Sequence, residues 1–193
     1  MRKLPILLLV LIVVSLGFAF QKQLTTHFKI ILFIAEEFPQ IPVKPLGLLT
    51  SKPDYQKVEL YSEKGKIVAD LYTPDQILRL SRTVRSGIAQ DKAPALILAM
   101  GVKTSEKDKP LLWHFGDTMA RLGYVTFWPR LEALDKGQSL PEEPETFMES
   151  FKYIAGLPQT DSERITFVGF SLGSSTAFVA ASNPEISDKV YGL

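Results

Sequence analysis

Apolar residues change their spacing several times along this chain, and each change marks the border of a predicted element. In YQKVELYSEKGKIVADLYTP, from Tyr55 to Pro74, they alternate with polar residues. That period of two predicts a pair of half-buried strands, turning at Glu63-Lys64-Gly65-Lys66, where glycine can take a positive φ. From Asp75 to about Ala89 the spacing becomes helical, through Ile77, Leu80, Val84 and Ile88. Ala95 to Met100 is a continuous apolar run, as in a strand covered on both faces. Helical spacing returns from Leu111 to Leu122, with Leu111, Phe115, Met119 and Leu122 on one side, and Gly123 closes that helix. Tyr124 to Trp128 is a second buried strand, Glu143 to Ala155 a helix, and Arg164 to Val168 a third buried strand. A helix over Gly173 to Ser182 follows, and Lys189 to Leu193 begins a further strand. A hairpin followed by strand–helix alternation predicts an α/β fold: a mostly parallel, twisted sheet flanked by helices. Sites in such sheets lie at the carboxyl ends of the strands.

The N-terminus follows another pattern. Arg2 and Lys3 precede an uncharged apolar run, LPILLLVLIVVSLGFAF, from Leu4 to Phe20. Its length lies between a signal-peptide core of about 7–15 residues and a spanning helix of about 17–25. Residues 1–20 are therefore expected to be either a retained membrane anchor or a signal cleaved after Gly17-Phe18-Ala19. In both cases the flanking charges keep the N-terminus cytoplasmic and send the rest outside, tethered or secreted. Residues 21–52 are expected to form a juxtamembrane connector, because Pro39, Pro42 and Pro45 recur in a way that favours extended chain. The folded domain then occupies residues 53–193.

Composition narrows the chemistry. The 193 residues carry a formal net charge of +1, which offers no electrostatic case for nucleic acid. There is no cysteine, so disulfides, thiolate metal sites and thiol nucleophiles are excluded. The acidic group Glu142, Glu143 and Glu145 reads as a solvated loop before a helix, where negative charge favours the helix N-terminus. Trp113 and Trp128 read as packing residues, with Trp128 also placed to line a pocket at a strand's carboxyl end.

The chemistry-bearing stretch is ITFVGFSLGSSTAFVAA, from Ile165 to Ala181. It places a G-x-S-x-G motif between a short apolar strand and a helix rich in small residues, the layout of a nucleophile elbow. Gly169 and Gly173 would remove the Cβ atoms that collide where strand turns into helix, leaving Ser171 on the bend. The amide of Leu172, at the helix N-terminus, is a candidate oxyanion donor. A dinucleotide fingerprint would need glycine at position 171, and a phosphate-binding loop would need a lysine after Gly173.

The segment order of hairpin, AMG-ended strand, ARLGYVTFWP and DSERITFVGFSLGS resembles the α/β-hydrolase superfamily, in its dienelactone-hydrolase and prolyl-oligopeptidase-like branch. The likeness runs from about Tyr55 to Leu193. It implies a serine hydrolase with Ser171 as nucleophile, Leu172 and Val102 as backbone oxyanion donors, and Gly169 and Gly173 as elbow glycines. It also implies an ester, lactone or peptide substrate, with no metal or organic cofactor. Met100 stands where the family commonly has histidine before Gly101. The family's triad continues after the nucleophile with an acid and a histidine. Only 22 residues follow Ser171 and none is histidine; His27 and His114 both precede it, and Asp188 reads as a loop residue. The chain is thus expected to be the N-terminal part of a longer hydrolase, inactive by itself. The alternative is a membrane-tethered, non-catalytic binding module of the same fold, with residues 4–20 as its membrane contact.

Overall fold

The computed structural model describes residues 25–62, 65–75, 92–101, 109–131, 133, 136, 138 and 140–193. Residues 76–89 of the expected helix, Val102 and the apolar run Leu4–Phe20 lie outside the described residues.

The hairpin consists of β1 (Asp54–Ser62) and β2 (Gly65–Thr73), antiparallel and in unbroken register from Asp54 opposite Thr73 to Ser62 opposite Gly65. Gly65 has φ 135°, a value that side chains rarely tolerate. β3 (Ala93–Ala99), β4 (Val125–Arg130), β5 (Thr160–Gly169) and β6 (Val190–Gly192) complete a six-stranded sheet in the order β1-β2-β4-β3-β5-β6. β2 and β4 are antiparallel, whereas β4, β3, β5 and β6 run parallel. The register between β3 and β5 shifts between Ala93 and Ala95, at Pro94, whose missing N–H cannot serve the ladder. Because β4 lies on one side of β3 and β5 on the other, the chain changes direction there. A crevice opens at such a switch, outside the carboxyl ends.

Each face of the sheet has its own cover. α4 (Glu143–Gly156) and α5 (Leu172–Ala181) cover one face. Their side holds the main core, in which Phe167 lies 6.3 Å from Phe147 and 6.1 Å from Phe151, ring centre to ring centre. α3 (Lys109–Arg121) lies on the other face, and Gly116 lets it approach the Tyr72 ring, which a Cβ there would meet at 2.7 Å. β2 follows its alternation: Ala69 and Leu71 join the main core, while Tyr72 faces α3.

The N-terminal region differs from the expected spacer. A helix, α1, runs over residues 25–37, and a single turn, α2, spans Leu46–Leu49. Extended chain occurs between them, through the prolines. The Lys44 ammonium donates to the carbonyls of Ala35 (3.1 Å), Glu36 (2.6 Å) and Phe38 (3.0 Å), closing the carboxyl end of α1. The Glu36 carboxylate accepts from the Leu46 N–H at the start of α2. Arg121 of α3 reaches Thr50 and Ser51 beyond it. Leu32, Leu46 and Leu122 form a second, smaller apolar cluster with Phe33, Met119 and Tyr124. α1 lies antiparallel along α3, with Glu37 facing His114, Phe33 facing Phe115, and Lys29 over the Tyr124 ring.

No helix among the described residues is long and apolar enough to cross a membrane, and the run Leu4–Phe20, expected to be an anchor or a signal, lies outside them. One further expectation needs correction. Glu143 is buried in the first turn of α4 rather than solvated in a loop.

Candidate functional site

β5 ends at Gly169 and α5 begins at Leu172, so only Phe170 and Ser171 make the turn. Ser171 takes φ 53° and ψ −130°, the sole positive φ of a non-glycine residue among the described residues. Such a conformation costs on the order of 1–3 kcal/mol and persists only where the surroundings impose it. Here the glycines impose it. A Cβ on Gly169 would meet the Ser174 Cα at 2.5 Å, and one on Gly173 would run into the carbonyls of Ala99 and Met100. A Cβ on Gly101 would meet the Ser171 Cβ at 2.7 Å. The elbow is therefore wedged between the ends of two strands, and the Phe170 N–H donates to the Ala99 carbonyl at 2.8 Å to hold them together. The role of Gly101 exceeds its sequence reading as a strand terminator. Its signal was a glycine directly after a fully buried run, where another backbone comes close.

The Ser171 side chain is exposed and makes no capping hydrogen bond to α5. The N–H groups of Gly173 and Ser174 turn back to the carbonyls of Phe170 and Ser171. The Leu172 N–H has no acceptor among the described residues. A hydroxyl beside an unengaged amide at a helix N-terminus can attack a carbonyl whose oxygen the amide receives. Val102, the other expected donor, lies outside the described residues.

Aromatic rings form one wall beside the turn. Phe170 meets Phe115 of α3 edge to face at 6.3 Å, and Phe115 meets Phe33 of α1 at 6.1 Å in the same manner. α1, which sequence reading left in a connector, thus reaches the neighbourhood of Ser171.

At the carboxyl end of β4 lies a polar group that sequence reading missed. The Asp70 side chain is 3% exposed and accepts from the Tyr55 hydroxyl at 2.8 Å and from Arg130 Nε at 2.7 Å, with a further ion pair to Arg130 Nη2. The Arg130 guanidinium stacks on Trp128, 3.9 Å from its ring centre. Burial, reinforced by the hydrogen bond to Asp70, raises the Tyr55 pKa; burial and the Asp70 charge push Tyr72 well above the usual tyrosine range. A charged residue in an otherwise apolar stretch of β2 was the available signal. Trp128 is buried under this arginine and acts in packing.

The histidines and the downstream acid stand apart from any triad pattern. His27 is exposed on α1. His114 Nε2 lies 3.6 Å from Glu37 Oε1, an ion pair whenever His114 is protonated. Thr118, one turn further along α3, is fully buried. Asp188 is exposed in the turn before β6.

No protein-family model and no curated protein matches the sequence. Solved structures do match it in three dimensions. DcsB, seen in complex with its substrate analogue, aligns with a TM-score of 0.54 and 22% identity, over 72% of this chain and 44% of its own. Dienelactone hydrolase from Anabaena variabilis aligns with a TM-score of 0.53 and 16% identity, over 72% and 61%. A hyperthermophilic esterase from the archaeon Pyrobaculum calidifontis aligns with a TM-score of 0.50 and 20% identity, over 87% and 48%. The chain thus spans about half the length of these structures, and at such identities the likeness is one of fold.

Proposed function

We propose that this chain, which has the α/β-hydrolase fold, belongs to a serine hydrolase in which Ser171 is the nucleophile. The observation that carries this reading is the positive φ of Ser171 at the junction of β5 and α5, beside the Leu172 N–H, which has no acceptor among the described residues. In the reaction, Ser171 Oγ forms a bond to the substrate carbonyl carbon and gives its proton to a general base. The oxyanion is received by Leu172, with Val102 as second donor. Collapse expels the alcohol or amine, which takes up a proton, and water then hydrolyses the acyl-enzyme. The substrate class is an ester, lactone or peptide bond, and the neighbouring structures, which include an esterase and a dienelactone hydrolase, are consistent with that class. In this reading the acid and the histidine are supplied by sequence beyond Leu193, because His27 and His114 both belong to the α1–α3 side.

Membrane attachment through Leu4–Phe20, with the folded domain outside the cytoplasm, is the proposed localisation; release after signal cleavage is its alternative. It is supported by the uncharged run behind Arg2 and Lys3.

A fluorophosphonate probe on the full-length protein tests the catalytic reading. Wild type is expected to be labelled, and Ser171→Ala to lose the label completely while keeping its circular dichroism. Unlabelled wild type would instead favour the non-catalytic, membrane-tethered binding module.

A further inference from the structure

α1 is built inside out. Its inward positions, which meet α3, the turn after it and the start of α2, are Lys29, Leu32, Phe33 and Glu36, so half of them carry charge. Lys29 rests over the Tyr124 ring at 5.0 Å, and Glu36 is buried with a carboxylate oxygen on the Leu46 N–H. Its outward positions are His27 in the first turn and then Ile30, Ile31 and Ile34, with Phe38 just past the helix end; the four apolar ones are 49%, 62%, 41% and 53% exposed. Their spacing of three and four residues makes one continuous apolar stripe on a helix. A helix on the surface of a water-soluble protein has the reverse arrangement, with its apolar stripe inward.

We propose that the outward face of α1 lies in the interfacial layer of a lipid bilayer, with the helix parallel to the membrane plane. The occupant follows from the sequence as well as the exposure. The uncharged run Leu4–Phe20 ends five residues before Thr25, the first described residue of α1, so the two are at most roughly 17 Å of chain apart. A bilayer that takes up that run is therefore within reach of α1. An interfacial helix buries an apolar face about 5–10 Å into the headgroup and acyl boundary, which suits a row of isoleucines ending in phenylalanine. From Ile30 to Phe38 the stripe carries no charged residue, and His27 is its one ionisable neighbour, so docking depends chiefly on apolar insertion and not on anionic lipid. Through Phe33, Phe115 and Phe170, the docked helix is joined to the Ser171 turn. The docking itself does not rest on the hydrolase reading.

The absence of cysteine gives a direct test. Ile31→Cys in the full-length protein, with any cysteine beyond Leu193 replaced by serine, carries a single environment-sensitive fluorophore, and Tyr61→Cys, at a 79% exposed position on β1, is the control. Each is mixed with phosphatidylcholine vesicles containing a lipid that bears a quencher near the headgroup. About a twofold loss of emission is expected at position 31 and none at position 61, insensitive to salt. Equal emission at the two positions on vesicle-bound protein overturns the proposal, even if Leu4–Phe20 holds the chain on the vesicle. A label at position 31 that is shielded before lipid is added also overturns it, and points to a second copy or to this protein's own chain as the cover. Ile30→Glu with Ile34→Glu, checked by circular dichroism, is expected to abolish the quenching; persistent quenching would exclude the stripe as the inserting surface.

Discussion

The two faces of the sheet are finished by different means. Against α4 and α5 the contact is almost wholly apolar, with Phe147, Phe151, Phe167 and Ile154 locked among small alanines from β3 and α5. Against α3 and α1 the apolar cluster is small, and the remainder is held by Asp70, Arg130, Tyr55 and Arg121, and by the aromatic contact beneath Lys29. One face draws its stability mainly from excluded water and close packing. The other depends on charged groups whose partners must all be present. The elbow stands where the two meet, with α5 behind it and Phe115 beside it.

Three substitutions separate these modes. The largest loss is expected on the packed face. Phe167→Ala removes a fully buried ring between Phe147 and Phe151 and should cost about 3–5 kcal/mol in urea unfolding. A loss below about 1 kcal/mol would mean that the core closes over the gap, and the contrast between faces would fail. On the polar face, Arg130→Met leaves Asp70 buried without its cation, an expected loss of about 3 kcal/mol. The double variant with Asp70→Leu should recover part of that loss, since no charge is then stranded.

The smallest effect concerns alkaline pH. Burial first, then the Asp70 charge, raises the Tyr72 pKa in the folded state above its unfolded value. The unfolded chain therefore releases this proton first, and stability present below about pH 10 is lost as pH rises beyond it. Tyr72→Phe should flatten the alkaline limb of a stability–pH curve. Tyr153→Phe, on the packed face, should do so less, because burial alone raises that hydroxyl and by a smaller amount.

What sequence alone could reveal followed from how local each signal is. The continuous run at Ala95–Met100 and the apolar Ile165-Thr-Phe-Val168 announce buried strands, because no other placement removes so many adjacent apolar groups from water. Gly169 and Gly173 flank a serine, so the bend was visible within five residues. α1 was hidden because its stripe faces away from the protein, and periodicity cannot distinguish an inward from an outward face. Asp70 was hidden for a related reason. Its charge was visible in the sequence, but in an alternating strand a polar residue is assigned to solvent, and only the folded sheet places Arg130 of β4 beside it. Gly101 required knowing that β3 and β5 are neighbours, which is a fact of topology.

The contact between Gly101 and Ser171 gives two strands a shared claim on one position. A randomised library at residue 101, sorted for soluble expression alone, would admit substitutions that shove the serine aside, and sorted for turnover it would return to glycine. The Ser171 hydroxyl is thus aimed as much by the end of β3 as by the strand that carries it.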